Sequence, residues 1–447
     1  MTAIEVFEDW LNTYLNFEST PQKDIFWLDT IDFLCKRFEN PQDYAPCIHI
    51  AGSKGKGSVS KLISSILDEA GYSVGLYSSP HIIDFRERIS SPKGFFSEEI
   101  YENAIKEMVP NIESIMNYPA DRAVTWFELV TLFSFLVFRQ AKVDWSVFEV
   151  GLGGRLDATN VIRPKLCCIT PIELEHTEFL GDTVEKIAAE KAGIIKNCTP
   201  VLIAQQQSES VKIVFREKAI TRHAPFYFVE DMIKNAHYSF DDVNKKMSIH
   251  LEGEFLNRPI ETDMLMLGKV QIQNAAMAAI AIKKLFPNMD EAIIERGLSK
   301  AKLPGRFEIL DKLKGFEGIK YLILDGAHTC NSIKGTLDTL NKMFGDEKVN
   351  LLFACAADKD IKDISKLFKY RFNHVYVTKP GNKKQSNIEA EIQAFKDAEI
   401  DFTADADFKT IIKRALKETS ERNQVLLVTG SFYLLSEVKK IIDVNTQ

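Results

Sequence analysis

Short apolar runs bounded by glycine, serine and proline alternate along this chain with stretches whose apolar residues recur every three or four positions. That is the pattern of strands alternating with helices. The first clear unit begins at Cys47-Ile48-His49-Ile50-Ala51, which suits a buried strand. After it Val59, Leu62, Ile63, Ile66, Leu67 and Ala70 fall at helical spacing, and Gly71 is placed to end that helix. Further strands are expected at 73–77, 145–150, 166–170 and 201–204, with helices at 4–15, 30–38, 99–116, 125–138 and 182–195. From about 230 to 262 the alternation turns polar, which predicts a small antiparallel excursion, and Val270 to Leu285 reads as a helix. Pro and Gly interrupt the pattern in Lys300 to Arg306, KAKLPGR. Beyond it, strands at 320–325, 349–355, 374–378 and 425–429 alternate with helices at 331–343, 387–397 and 405–421. The alternation predicts a second parallel sheet covered by helices.

Composition narrows the class. A chain of 447 residues has room for two or three domains, and its apolar fraction of 45% is ordinary for globular proteins. No run of about 18 apolar residues occurs, so no membrane partner is expected. The N-terminal MTAIEVFEDWLNTYL is amphipathic but acidic and lacks a signal-peptide pattern. The seven cysteines are scattered without metal-ligand spacing, as expected of buried thiols in a reducing cytoplasm. A net charge of −7 gives no bulk attraction to nucleic acid.

Chemistry enters at Gly52-Ser53-Lys54-Gly55-Lys56-Gly57-Ser58, between the first strand and its helix. Strand, glycine-lysine loop and helix together cradle phosphate: backbone N–H groups converge where no side chain intervenes, the helix N-terminus adds positive potential, and Lys56 adds a full charge. The loop is not a strict Walker A, because Gly57 separates Lys56 from Ser58. Three other residues sit at expected strand ends, where α/β sheets bind ligands: Ser79, Glu149 and His176. Singly they read as a turn serine, a solvated acid and a helix-preceding cap. Together they make a set that suits magnesium, which takes one or two protein groups plus nucleotide phosphates.

These segments resemble the folylpolyglutamate synthase and dihydrofolate synthase family of the Mur ligase superfamily. The loop at 47–60 resembles its HVAGTNGKGS, SSPH (78–81) its TSPH, and TWFE (125–128) its TxFE. EVGLGGRLDATN (149–160), HTEFLGDTVEKIAAEKAGIIK (176–196), QIQNAAMA (271–278), LPGRFE (303–308), DGAH (325–328), DKD (358–360) and TGS (429–431) follow in the family's order. The resemblance implies an α/β protein of two domains facing each other across a cleft. Residues 1–299 would form an N-terminal domain with a P-loop-type, mostly parallel sheet and helices on both faces. A linker would span 300–306, and a Rossmann-like α/β domain 307–447. It also implies an ATP-dependent ligase that joins L-glutamate to dihydropteroate or a reduced folate, as a monomer. Gly52 to Ser58, with catalytic Lys56, would hold phosphates. Ser79, Glu149 and His176 would hold two Mg2+ ions, with K+ as an optional further ion. Asn274, Arg306 and Asp325 would meet the nucleotide. Phe127, Arg155 and Asp157 would meet the pteroyl group, and His328 and Ser431 the incoming glutamate. The family's EKAGI lysine, here Lys191, is expected to be carbamylated.

The pattern of residues alone gives Lys191 a plainer reading, snorkelling to solvent or pairing with Glu190. Departures from the family lie in or beside the expected site: Lys54 for asparagine, Pro171 and Glu173 within the family's TNIGLDH segment, Glu175 for aspartate, and Thr329-Cys330 for asparagine and proline. Two other readings stand beside the folate ligase. One is a Mur-type ligase acting on a cell-wall precursor, and the other is a nucleotide-binding protein that has lost catalysis.

Overall fold

The computed structural model describes residues 2–16, 27–345, 347–382 and 385–444. By compactness the chain divides into two units. The first comprises Met1–His237, Ile249–Thr262 and Ile272–Ala301, and the second Tyr238–Ser248, Asp263–Gln271 and Lys302–Gln447.

In the first unit, seven strands form one sheet: β1 (Cys47–Ala51), β2 (Val74–Tyr77), β3 (Ile89–Ser90), β4 (Trp145–Glu149), β5 (Leu166–Ile169), β6 (Val201–Ile203) and β7 (Phe226–Phe228). Their order is β3-β2-β4-β1-β5-β6-β7. All pairings are parallel except that of β3 with β2 at the edge. β1 and β5 read as uninterrupted apolar runs because both their faces are covered. The helix Lys56–Glu69 packs against β1, β2 and β4. Side chains of the helix Trp126–Gln140 join Tyr77 and Phe148 in a separate aromatic-rich core. The connection after β1 leaves toward β2, whereas that after β5 leaves toward β6 on the other side. The two strands are neighbours, so a crevice opens at their carboxyl ends, the usual ligand position in such sheets.

The polar stretch forms a three-stranded sheet where an excursion was expected: β8 (Ile233–Asp241), β9 (Lys246–Gly253) and β10 (Ile260–Met264), in the order β10-β9-β8. In the second unit, β11 (Glu308–Leu310), β12 (Tyr321–Asp325), β13 (Val349–Phe353), β14 (His374–Val377), β15 (Thr403–Ala404) and β16 (Val425–Thr429) assemble in the order β11-β12-β16-β13-β14-β15. Only β11 runs antiparallel to its neighbour. The helices Phe408–Glu421 and Phe432–Val444 bury Ile411, Ile412, Leu416, Leu434 and Leu435 against Leu324, Leu426 and Val428.

One departure from the expected elements has a local cause. The helix expected over 182–195 ends at Lys191, and Ala192–Ile194 tighten into a 3-10 turn. Gly193 there lies so close to Arg155 that an added Cβ would stand 2.4 Å from the Arg155 Cα. Thr329 caps the helix Cys330–Phe344, its side chain accepting the N–H of Ser332. Threonine and asparagine are both good N-caps, so the change from the family's asparagine keeps the helix start intact.

Candidate active site

The phosphate-type loop takes its shape from two glycines. Gly52, at φ +142°, lies where an added Cβ would stand 1.8 Å from the Thr170 Oγ1. Gly55, at φ +92°, opens the helix Lys56–Glu69, and its Cβ would stand 2.8 Å from Asn274 Oδ1. The loop is tied to the segment after β5. Ser53 and Lys54 donate their N–H groups to the Pro171 carbonyl at 2.9 and 3.3 Å, and the Ser53 hydroxyl donates to the Glu173 carbonyl at 3.1 Å. Asn274, from the helix Val270–Leu285, therefore sits at the helix-opening turn of the loop. Ser58 is buried in the first turn of the helix Lys56–Glu69, which Gly57 also helps to form.

Two lysines close on this loop. Lys56 Nζ and Lys191 Nζ each donate to the Gly52 carbonyl at 2.9 Å. Lys191 is 2% exposed and also donates to Glu175 Oε1 at 2.9 Å. Burial and the neighbouring Lys56 charge bring its ammonium down to about 8. Burial pushes the Glu175 carboxyl up, but the charges of Lys56 and Lys191 outweigh it and hold the group at about 2. The plainer reading of Lys191 is thus corrected: it neither reaches solvent nor pairs with Glu190. Glu190 is taken by Arg155, whose guanidinium Nε and terminal NH2 donate to it at 3.1 and 2.9 Å.

At the ends of β2 and β4, the Ser79 N–H points to Glu149 Oε2 at 3.4 Å. Glu149 is 6% exposed, so the reading of it as a solvated acid is also corrected. His176 takes a left-handed conformation, φ +47°, at the start of the short helix Thr177–Leu180, directly after Glu175. Among the described residues no group of three or more His, Cys, Asp or Glu gathers as a self-sufficient metal site. The hydroxyl of Ser79 and the carboxylate of Glu149 suit a hard cation that completes its shell with phosphate oxygens, as Mg2+ does.

Phe127 lies within the capping box formed by Thr125 and Glu128, and its ring lies over Gly151, where an added Cβ would stand 2.5 Å from its Cζ. Asp157 is buried and turned toward its own loop, accepting the N–H groups of Gly151 and Leu152 at 3.0 and 2.9 Å. Its carboxylate is committed to holding the GLGG turn, which an assignment as a pteroyl contact did not anticipate. The residues that sequence reasoning missed are Thr170, which abuts Gly52, and Glu175 as the partner of Lys191. Glu175 stood out only as a departure from the family pattern.

In the second unit, Asp325 at the end of β12 accepts the N–H groups of Phe307 and Ala327, each at 2.8 Å, and the Thr336 hydroxyl at 3.0 Å. Burial raises its carboxyl, against the pull of Arg306. Arg306 stacks on the Phe432 ring at 4.7 Å. His328 Nδ1 pairs with the Gly326 carbonyl at 2.8 Å, and the Ser431 hydroxyl accepts the Tyr433 N–H at 3.1 Å. These residues share one end of the parallel strands β12 and β16.

Known proteins are similar to this chain over nearly its whole length. Residues 50–282 match the Mur ligase middle domain, and residues 305–432 match the Mur ligase glutamate ligase domain. A dihydrofolate synthase/folylpolyglutamate synthase from Bacillus subtilis (strain 168) is 31% identical over 444 residues, covering 98% of this chain and 99% of that protein. The crystal structure of a folylpolyglutamate synthase from Thermotoga maritima superposes with a TM-score of 0.82 at 29% identity, covering 99% of this chain and 97% of that one. The structure of an FPGS–AMPPCP complex superposes with a TM-score of 0.81 at 25% identity, covering 99% of this chain and 100% of the other. The chain belongs to the dihydrofolate synthase/folylpolyglutamate synthase family of Mur ligases.

Proposed function

We propose that this protein uses ATP to join L-glutamate to the carboxylate of a folate-type acceptor, dihydropteroate or a reduced folate, through an acyl phosphate. The observation that carries the reading is the convergence of Lys56 and Lys191 on the loop carbonyl of Gly52, beside Glu175. The Lys56 ammonium, at a helix N-terminus, offers a polyphosphate a seat, and Lys191 beside it is held for carbamylation. A carboxylate is a poor electrophile until it is phosphorylated. Transfer of the γ-phosphate depends on position and charge neutralisation, which the loop N–H groups and Lys56 provide. The glutamate amine then attacks the acyl phosphate, phosphate leaves, and an amide bond remains. Bound Mg2+ would neutralise the triphosphate, with Ser79, Glu149 and His176 as its protein groups. Asn274 is assigned to the adenine side of the nucleotide site. Phe127 and the Arg155–Asp157 loop are assigned to the pteroyl group.

In the second unit, Arg306 and Asp325 are assigned to the nucleotide, and His328 and Ser431 to the incoming glutamate. We assign residues 1–299 and 307–447 as the two working domains, with 300–306 as the linker. Carbamylation of Lys191 is part of the proposal. Carbon dioxide adds to a neutral amine, and an amine that titrates at about 8 supplies that form near neutral pH. Thr329 still caps the helix that follows DGAH, which supports a working site over a catalytically dead paralogue. The test is a coupled phosphate-release assay with dihydropteroate and a reduced folate in separate arms. Release that requires L-glutamate and either acceptor supports the reading. Release indifferent to both acceptors and to glutamate refutes it.

A further inference from the structure

A buried chain of hydrogen bonds beneath the site begins at His49, a residue with no part in the chemistry described so far. His49 lies in the middle of β1, fully buried, three residues before Gly52. Its Nε2 meets the Thr159 Oγ1 at 2.9 Å. The Thr159 hydroxyl donates to Asp157 Oδ1, and the Thr159 N–H reaches the same oxygen at 3.0 Å. The other oxygen of Asp157 receives Gly151 and Leu152, the residues that follow β4 and Val150. Since the Thr159 hydroxyl donates to Asp157, it accepts from His49. Nε2 must then carry the imidazole proton, leaving Nδ1 bare. That Nδ1 is buried with no hydrogen-bond partner in the structure. Burial, reinforced by the Lys196 charge, holds the imidazole well below its ordinary range, so it stays neutral.

A bare buried acceptor costs about 1–3 kcal/mol, which an aliphatic side chain of similar size would avoid. Packing alone therefore does not account for a histidine here. We propose that His49 is a positioning residue of the ligase: through Thr159 it fixes Asp157, and Asp157 fixes the Gly151–Leu152 turn. Strand β1, which leads into the phosphate loop, thereby sets the register of the loop after β4. That loop follows Glu149, the last residue of β4, and lies under the Phe127 ring. A slack turn would misplace the acceptor side of the site and leave the phosphate loop itself unchanged. The inference rests on the ligase reading for its kinetic test only.

The experiment compares His49→Leu, Thr159→Val, their double variant and His49→Gln, whose amide N–H can replace the donor. Both single variants should lower kcat/KM for the folate acceptor about tenfold, with the KM for ATP unchanged. The double variant should be no worse than the worse single, and His49→Gln should recover most of the loss. Wild-type kcat/KM in both singles would overturn the proposal, as would losses that multiply in the double or a His49→Gln variant no better than His49→Leu. If His49→Leu does not fold, Thr159→Val, which keeps the side-chain shape, decides the matter. The backbone amide NMR signals of Gly151 and Leu152 report the network without turnover. They should shift in Thr159→Val, and unshifted signals would refute the network even in an active enzyme. A wild-type protein with no folate-dependent turnover, but with those shifts, would overturn the ligase role and leave the network standing.

Discussion

Lys56 and Lys191 place their ammonium groups on one oxygen, the carbonyl of Gly52, each at 2.9 Å. One lysine opens the helix after the loop and the other ends a helix far along the chain, yet both serve the same turn. A carbonyl carries only partial charge, so two full charges beside it repel each other unless a carboxylate or a phosphate offsets them. Glu175 offsets one of them, at 2.9 Å from Lys191. The loop thus holds positive charge where the proposed polyphosphate would sit.

Replacing Lys56 by alanine should lower kcat at least about a hundredfold while the melting temperature stays near wild type, because this amine bonds a loop carbonyl and not the core. Lys54→Asn should change kcat by no more than about threefold, since the family manages without a lysine there. Steady-state kinetics with thermal melts check both. Near-normal turnover of Lys56→Ala would remove the phosphate-loop reading.

The Lys191 amine should titrate near pH 8 when competitive labelling with a small acylating reagent is followed by mass spectrometry. Exposed lysines should titrate around 10.5. The sign for stability follows. The folded value lies below the unfolded one, so between about 8 and 10.5 the unfolded chain binds the extra proton. The stability this group contributes therefore rises with pH across that window. Lys191→Ala should be nearly inactive and partly rescued by formate or acetate, and stripping bicarbonate should slow the wild type. Full activity of Lys191→Ala without added acid would contradict the carbamate assignment.

Glu391 makes the opposite pH prediction in the second unit. It is 2% exposed, its Oε2 has no hydrogen-bond partner, and burial raises its carboxyl to about 8. The folded state holds a proton that the unfolded chain has lost above its model value of 4.5, so stability falls as pH rises from there toward 8. Each pH unit in that window costs up to about 1.4 kcal/mol. Glu391→Gln should flatten this limb and be more stable than wild type at pH 8 by urea denaturation. Parallel pH profiles for the two proteins would contradict the assignment.

The fold was legible where strands are short, apolar and covered on both faces. β1, β4, β5, β12, β13, β14 and β16 lie within a few residues of their expected positions. The edge strands β3, β11 and β15 are two or three residues long, too short to leave a period in the sequence. The helices Glu209–Thr221 and Glu291–Lys300 were also not anticipated. In the site, the motif order placed the loop, Ser79, Glu149 and Lys191. It could not choose partners, because charge pairing depends on which way a side chain turns. Glu190 is adjacent to Lys191 in sequence yet bonds Arg155, whereas Glu175, sixteen residues away, takes the lysine. Nor did the sequence show that Asp157, expected at the pteroyl group, also accepts the loop N–H groups of Gly151 and Leu152.

Gly193 tests the packing that holds the Arg155 loop. Its missing Cβ would stand 2.4 Å from the Arg155 Cα, a backbone atom that cannot yield without moving the loop. Gly193→Ala should destabilise the protein by about 1–3 kcal/mol and lower acceptor-dependent turnover. Gly335→Ala is the control. It lies inside the helix Cys330–Phe344 with nothing within 4 Å of its added Cβ, and should stabilise by about 0.5–1 kcal/mol. Urea midpoints measure both. A neutral Gly193→Ala would contradict the close approach.

The central claim is that ATP activates the acceptor carboxylate as an acyl phosphate before glutamate attacks. Its most direct test uses dihydropteroate or a reduced folate labelled with 18O in the carboxylate that is joined, with ATP, L-glutamate and the wild-type protein. Mass spectrometry of the released phosphate should show one 18O transferred from the carboxylate for each amide formed, with ADP as the nucleotide product. Unlabelled phosphate alongside amide product, or label appearing in AMP, would contradict the account.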